Sequence, residues 1–284
     1  MSKSAYMILN GQIIEESAAA ISPLNRGLMY GDGCFETLRS YSGKFLGWSN
    51  HVERLKSGLE YLNMECPVSP RELESHIRTL LNHNQLENTE AIIRIQCWRD
   101  GKRGYTPDST KASWMVQAGK LQNEAKELKL AVAKTRCIPS EALERKYKLS
   151  NGLNYIKAAQ EAGERSCDDA LMLTVDDKVS ETTSANIFWI KEGKVHTPSE
   201  ECDLLPGVTR SMVMDVIQSL GIPVEESVYD LSSVKKAEAV FCTNSLIEIV
   251  EVISLDDIRF EVNHPLSMKI KVGFEQYKVQ EFQK

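Results

Sequence analysis

Nowhere in the 284 residues is there a run of about 18 uncharged apolar residues, so no membrane-spanning helix is expected. The opening stretch, MSKSAYMILNGQ, lacks an apolar core followed by a cleavage site and is not expected to act as a secretory signal. The seven cysteines (Cys34, Cys66, Cys97, Cys137, Cys167, Cys202 and Cys242) are scattered, odd in number and form no C-x-x-C pair. That pattern argues against a disulfide framework and against a zinc site, and it points to a reducing compartment, the cytoplasm. No basic block is present, and the formal net charge is −6, so nucleic acid is not an expected partner. There is no G-x-x-x-x-G-K-[ST], no H-E-x-x-H and no G-x-S-x-G, which removes the common nucleotide, zinc-protease and serine-hydrolase chemistries. The five histidines (His51, His76, His83, His196 and His264) include no pair at ligand spacing, and each alone is more often a packing or surface residue than a catalyst.

What is present is an ordinary globular composition, 42% apolar and 26% charged, in a chain long enough to bury a sizeable core. Residues 6–16 read as a hairpin turned at Asn10-Gly11. Val52, Leu55, Leu59 and Leu62 recur at helical spacing. A second helix opens at Ser69-Pro70, with Glu72 completing a capping box. Residues 91–98 and 112–118 look like strands, and the polar stretch 121–128 reads as a linker between domains at 1–120 and 129–284. Strand-like runs at 170–175, 186–190 and 238–243 alternate with helical runs near 153–165, 208–220 and 265–282. Strands outnumber long helices and several look hairpin-connected, which favours two α+β domains over a doubly wound parallel sheet.

Five separated segments carry unusual residues. Arg26–Arg39 holds Gly27, Gly31 and Gly33, either as a turn before a strand or as backbone that approaches a ligand closely. Lys148 stands just ahead of a helix, yet a single lysine is far more often solvated than catalytic, and Arg145, Lys146 and Lys157 are nearby. Glu181 precedes small polar residues and an apolar strand; it reads equally as a turn-proximal surface carboxylate. Gly207, Val208 and Thr209 present free backbone N–H groups at a helix start, which suits an anion such as phosphate but also suits an empty cap. A buried-looking strand stops at Thr243-Asn244-Ser245, whose hydroxyls are turn residues or further phosphate ligands.

Taken together and in order, these segments resemble the class IV aminotransferases, the fold type IV pyridoxal-phosphate enzymes, over nearly the whole chain. RGxxYGDGxFETxR is matched by Arg26–Arg39, H-x-x-RL by His51, Arg54 and Leu55, and K-x-x-N…EA by Lys148, Asn151, Glu161 and Ala162. E-x-x-x-x-N-x-F is matched by Glu181, Asn186 and Phe188, and LPGxTR by Leu205–Arg210. The resemblance implies a two-domain α+β fold like that of the D-amino acid aminotransferases, pyridoxal 5′-phosphate as cofactor, and a homodimer. It selects Lys148 as the residue that carries the cofactor as a Schiff base and later acts as general base. It places Glu181 opposite the pyridine nitrogen, with Asn186 beside it, and gives the phosphate to Arg54, Ser245 and the amides at Gly207, Val208 and Thr209. In some relatives a tyrosine just past the lysine touches the phenolic oxygen of the cofactor. Here the equivalent position is Gly152, and Tyr155 and Tyr30 are the remaining candidates.

The expected reaction is amino-group transfer between a small amino acid and a 2-oxo acid. The alternative is 4-amino-4-deoxychorismate lyase, which eliminates pyruvate and leaves 4-aminobenzoate. Arg103-Gly104-Tyr105 resembles the R-G-Y with which the lyases help bind a substrate carboxylate, where D-amino acid transaminases carry R-x-H. Asn244–Leu246 and Phe188-Trp189 also look lyase-like. Against this, Arg94 sits where some branched-chain transaminases carry a substrate arginine, and the usual GG ahead of R-G-Y is here Gly101-Lys102. Tyr30, Arg94, Arg103 and Tyr105 are therefore the candidate substrate residues. An inactive relative used as a scaffold is a third possibility, and retention of both Lys148 and Glu181 argues against it.

Overall fold

The computed structural model describes residues 5–122 and 127–283. The chain divides into two compact units, Met1–Asn123 with Tyr147–Asn151, and Glu124–Lys146 with Gly152–Lys284. Of the stretch expected as a linker, 121–128, residues 123–126 lie outside the described residues.

The first unit is built on strands β1 (Tyr6–Leu9), β2 (Gln12–Glu15), β3 (Gly33–Tyr41), β4 (Lys44–Phe45), β5 (Glu90–Arg99) and β6 (Ala112–Lys120), with helices α1 (Arg26–Tyr30), α2 (Trp48–Tyr61) and α3 (Pro70–His83). The strands form an antiparallel sheet in the order β2-β1-β6-β5-β3-β4. The β1–β2 turn is the expected one: Asn10 and Gly11 both have positive φ, +48° and +82°, as a hairpin twisted the right way requires. The α3 capping box is also formed, with Ser69 accepting from the backbone N–H of Glu72 and Glu72 accepting from that of Ser69. Register puts Cys34, Leu38, Ile93, Ile95, Cys97, Trp114 and Val116 on one face of the sheet, and all are buried. Val52, Leu55 and Leu59 of α2 and Leu73, Ile77, Leu80 and Leu81 of α3 are the buried helical residues of the same unit. Phe35, Thr37, Arg94, Gln96, Met115 and Gln117 share the opposite face and stay partly open.

The second unit holds strands β7 (Glu127–Val132), β8 (Asp169–Leu173), β9 (Val179–Thr182), β10 (Asn186–Lys191), β11 (Lys194–Pro198), β12 (Val224–Ser227), β13 (Ala239–Asn244), β14 (Glu248–Leu255) and β15 (Ile258–Arg259). They form one mixed sheet in the order β12-β11-β10-β13-β14-β7-β8-β9, with β15 on β14. The β11–β12, β14–β7 and β7–β8 pairs are parallel. Helices α4 (Leu153–Glu164), α5 (Val208–Ser219), α6 (Leu231–Lys235) and α7 (Pro265–Glu281) complete it. One apolar cluster gathers Leu130, Leu171, Ile187, Trp189, Val240, Cys242 and Val252 from these strands. A second packs Ala158 and Ala162 of α4 on Ala131, Ala170 and Met172. Burial on both faces explains why β8, β10 and β13 read as near-continuous apolar runs rather than alternating ones. The architecture is α+β, as the strand-rich pattern implied.

The glycines of Arg26–Arg39 are explained inside the first unit. A Cβ on Gly33 would lie 2.3 Å from the carbonyl oxygen of Cys97, and one on Gly27 would lie 2.7 Å from Cβ of Trp98. Gly31 ends α1 in the left-handed conformation at φ +67°. Backbone-on-backbone approach, not a ligand, therefore demands Gly33. Gly33→Ala is expected to lower stability in chemical denaturation by about 1–3 kcal/mol, the usual range for overpacking. Gly163→Ala is the control: it lies in α4 with no neighbour within 4 Å of its would-be Cβ, and it is expected to stabilise by about 0.5–1 kcal/mol.

Candidate active site

Lys148 belongs structurally to the first unit, although the chain on either side of Tyr147–Asn151 belongs to the second. The reason is strand-like pairing. Leu149 bridges Cys34, the N–H of Phe35 donates to the carbonyl of Lys148 at 2.9 Å, and the N–H of Ser150 donates to the carbonyl of Gly33 at 2.9 Å. Leu149 is buried beneath this bridge, and Tyr147 stacks on Tyr61 with ring centroids 4.4 Å apart. The backbone of the lysine is thus held as firmly as a strand residue while its side chain stays half-buried. Its Nζ lies 4.7 Å from the centre of the Phe35 ring. The guanidinium carbon of Arg94 lies 4.0 Å from the same ring. Phe35 thus carries two cations within 5 Å of its ring centre, and burial pulls Arg94 down from its ordinary pKa. Nη2 of Arg94 donates to Oε1 of Gln96 at 3.1 Å, and Nε2 of Gln96 donates to Oγ of Ser150 at 2.7 Å, which closes a link from Arg94 back to the lysine segment.

Arg54 is fixed from behind. Its Nε and Nη2 donate to the two oxygens of Glu36 at 2.7 and 2.9 Å, and Nδ1 of His51 lies 2.8 Å from Oε2 of the same carboxylate. His51 and Arg54 are three residues apart on α2, so both reach one point on β3. Burial alone would push Glu36 upward, but the charge and hydrogen bonds of Arg54, with those of His51, hold it down at about 2.

Tyr30 and the loop after β5 are tied together. The Tyr30 hydroxyl accepts from the N–H of Gly104 at 3.0 Å, and its ring lies 5.4 Å from that of Tyr105. Arg26, the first residue of the RGxxYGDGxFETxR match, is a clamp: Nε binds Asp32 at 2.7 Å, and Nη1 donates to the carbonyls of Lys102 at 2.8 Å and Gly104 at 2.6 Å. Arg103 and Tyr105 themselves are exposed, Tyr105 at 91%.

In the second unit Glu181 is 5% exposed and held on both oxygens. Oε1 accepts from the Tyr155 hydroxyl at 2.7 Å; Oε2 accepts from the backbone N–H of Leu205 at 3.1 Å and from Nδ2 of Asn186 at 3.4 Å. Nδ2 of Asn186 also donates to the carbonyl of Leu205 at 2.9 Å. A Cβ on Gly207 would fall 2.2 Å from Oδ1 of Asn186, so the chain passes this amide closely enough to need glycine. Gly207 is the N-cap of α5, with no side-chain cap on the free N–H groups at Val208 and Thr209. Oγ1 of Thr209 is 3.5 Å from Oγ of Ser245. Ser245 is set by Asn244, whose Oδ1 accepts from the N–H groups of Leu246 and Ile247 and whose Nδ2 donates to the carbonyl of Ser184. Thr243, opposite Asn186 in the β10–β13 register, is 1% exposed, and its hydroxyl has no hydrogen-bond partner. An uncapped helix start, converging hydroxyls and a glycine cradle fit a phosphate monoester, and a locked carboxylate fits a protonated ring nitrogen.

Other motif residues serve the frame. Glu161 accepts from the N–H and hydroxyl of Thr135 and from the N–H of Lys134. Asp169, missed by the sequence reading, staples the turn between Glu181 and Asn186 through Thr183 and Ser184. Tyr155 lies against Glu181 and Tyr30 against Gly104, which settles where the two tyrosine candidates stand.

The amino-transferase class IV family model matches residues 33–255. An aminodeoxychorismate lyase of Bacillus subtilis is 29% identical over 258 residues, spanning 89% of this chain and 87% of the lyase. A putative branched-chain-amino-acid aminotransferase of Methanocaldococcus jannaschii is 31% identical over 255 residues, 87% of each chain. Among solved structures, the branched-chain aminotransferase of the archaeon Thermoproteus uzoniensis with norvaline superposes with a TM-score of 0.90 at 26% identity, covering 96% of this chain and 94% of that one.

Two substitutions test the geometry. Glu36 is held below its ordinary value of 4.5, so the stability it contributes is present above that pH and is lost as pH falls toward about 2. Glu36→Gln is expected to flatten the acid limb of a thermal or urea unfolding profile and to cost about 3 kcal/mol at neutral pH, where Arg54 loses its buried counter-charge. Gly207→Ala drives a methyl into Asn186 and is expected to weaken binding of pyridoxal phosphate to the apoprotein by about tenfold, read by absorbance titration.

Proposed function

This chain belongs to the class IV aminotransferases, and on that premise we propose that it moves an amino group between a small amino acid and a 2-oxo acid, with Lys148 as the cofactor-bearing lysine. Enzymes of this class use pyridoxal 5′-phosphate. When bound, the cofactor supplies an electron-withdrawing ring that takes up the electron pair left as a proton leaves the substrate α-carbon. The amine of Lys148 holds the cofactor and carries that proton. In this reading Glu181 would keep the ring nitrogen protonated, and Gly207, Val208, Thr209 and Ser245 would hold the phosphate, with Asn186 setting both Glu181 and Gly207; Arg54 is the further phosphate residue that the family resemblance implies. Arg94 and Tyr30, with Arg103 and Tyr105, receive the substrate carboxylate and side chain. The observation that carries the proposal is the double duty of Asn186, one amide that fixes an acid suited to the ring nitrogen and borders an uncapped helix start suited to phosphate.

A second reading, aminodeoxychorismate lyase, is favoured by one feature: the Arg103-Gly104-Tyr105 loop is clamped by Arg26 and Tyr30. The similarity to the Bacillus subtilis lyase supports it too. The proposal includes a homodimer, as the family resemblance implies. It also includes a cytoplasmic location, for which the unpaired cysteine pattern is the support; among the described residues no helix is long and apolar enough to cross a membrane.

The purified protein is expected to carry visible cofactor absorbance. Lys148→Ala is expected to lose that band and to fall in kcat by about 10²–10⁴-fold. Amino exchange between glutamate or D-alanine and an oxo acid supports transfer. Pyruvate released from aminodeoxychorismate with no oxo-acid acceptor, and no exchange, moves the assignment to the lyase.

A further inference from the structure

Arg145 and Tyr155 have no role in the proposal above, yet they form a buried polar chain that ends on Glu181. Arg145 is 5% exposed. A buried guanidinium is costly unless its charge is matched. Among the described residues no carboxylate forms an ion pair with it, and its Nε has no hydrogen-bond partner. Its Nη2 donates to the Tyr155 hydroxyl, and its guanidinium carbon lies 5.2 Å from the Tyr155 ring centre. The same hydroxyl donates its proton to Oε1 of Glu181 at 2.7 Å. A phenol that accepts from a cation becomes a stronger donor, so the positive charge reaches the carboxylate through the hydroxyl. The phenol is kept protonated: burial first, and the Glu181 charge next, push Tyr155 well above its ordinary pKa, although Arg145 acts the other way. The ring also packs against the alanine cluster of β7, β8 and α4, which fixes where the hydroxyl points.

We propose that Tyr155, backed by Arg145, is a positioning residue for Glu181, orienting its carboxylate and tempering its negative charge where it faces the cofactor ring nitrogen. The proposal rests on the role given to Glu181 in the preceding section. The Leu205 N–H and Asn186 hold the second oxygen, so the two ends of the carboxylate are restrained independently and the group cannot turn about its own axis. Cys137 is a further ionisable neighbour of Tyr155 and Glu181, with Asp203 acting on it in turn. The Cys137 thiol is pushed up to about 12, chiefly by burial, with Glu181 and Asp203 adding to the shift and Ser180 and Arg145 opposing it. Cys137 therefore stays neutral and does not substitute for the phenol.

The test uses the whole chain, stripped of cofactor and titrated with pyridoxal phosphate, with two readouts: the dissociation constant, and the pH midpoint of the bound cofactor absorbance band. Tyr155→Phe keeps the ring and removes the hydroxyl. It is expected to raise the dissociation constant about tenfold and to move the midpoint up by about half a pH unit, because a less compensated carboxylate favours the protonated cofactor. Arg145→Met is expected to act in the same direction more weakly, and it carries the test if Tyr155→Phe does not fold. The double variant is expected to match Tyr155→Phe alone, since Arg145 acts only through the phenol. Values within twofold of the unsubstituted protein for Tyr155→Phe, with an unmoved midpoint, overturn the proposal, as do strictly additive effects. If instead Glu181→Gln leaves both readouts unchanged, the fault lies in the role assigned to Glu181.

Discussion

The second unit depends on what one asparagine amide does. Nδ2 of Asn186 spans the Glu181 carboxylate and the Leu205 carbonyl, while Oδ1 stands where any side chain on position 207 would go. The first strand residue of β10 thereby fixes an acid on the end of β9 and the entry to α5 at the same time. Asp169 makes this possible by holding the intervening turn closed through two hydroxyls, so that Glu181 and Asn186 stay close although five residues apart. A buried amide in such a place has few alternatives, because each group it releases is left unpaired at low dielectric.

The first unit solves a related problem with buried charge. Glu36 lies under α2 with Arg54 and His51 on it, and Asp32 receives both Arg26 and Arg99. Burying ions costs more than an apolar core of equal volume, but it fixes geometry well. Here the result is a guanidinium whose plane is set by a bidentate carboxylate, and a loop after β5 tied to α1 through carbonyls. The lysine is handled differently, by pairing its backbone into the edge of β3 and leaving the side chain against Phe35. The backbone of Lys148 is thereby fixed while its side chain stays half-buried.

Much of this was legible because the local signals were strong. The Asn10-Gly11 hairpin and the Ser69 capping box depend on neighbours in sequence, and both appear where their residues stand. Of the periodic run Val52, Leu55, Leu59 and Leu62, the first three lie in α2, which starts a turn earlier at Trp48 after the left-handed N-cap Gly47, and Leu62 is its C-cap. The candidate residues were found by order and spacing, not by burial or charge. That method could not separate a residue that meets a ligand from one that supports it. Arg26, Gly33 and Glu161 stand in motif positions and turn out to clamp a loop, admit a carbonyl and cap a turn. Asp169 and Arg145 stand in no motif, and their partners, 14 and 10 residues on, lie beyond the reach of any turn or helix periodicity, so no local pattern marked them.

The linear order of residues determined the family, the cofactor and the α+β character, since each is written in short-range pattern: alternation, caps, glycines and motif spacing. Tertiary structure alone decided which side chains touch. It paired Tyr155 with Glu181 across 26 positions, Glu36 with Arg54 across 18, and Gln96 with Ser150 across 54. Such contacts arise from strand register and helix packing, which depend on the whole chain closing at once. A hydrogen bond exists only where that closure brings donor and acceptor within about 3 Å of each other.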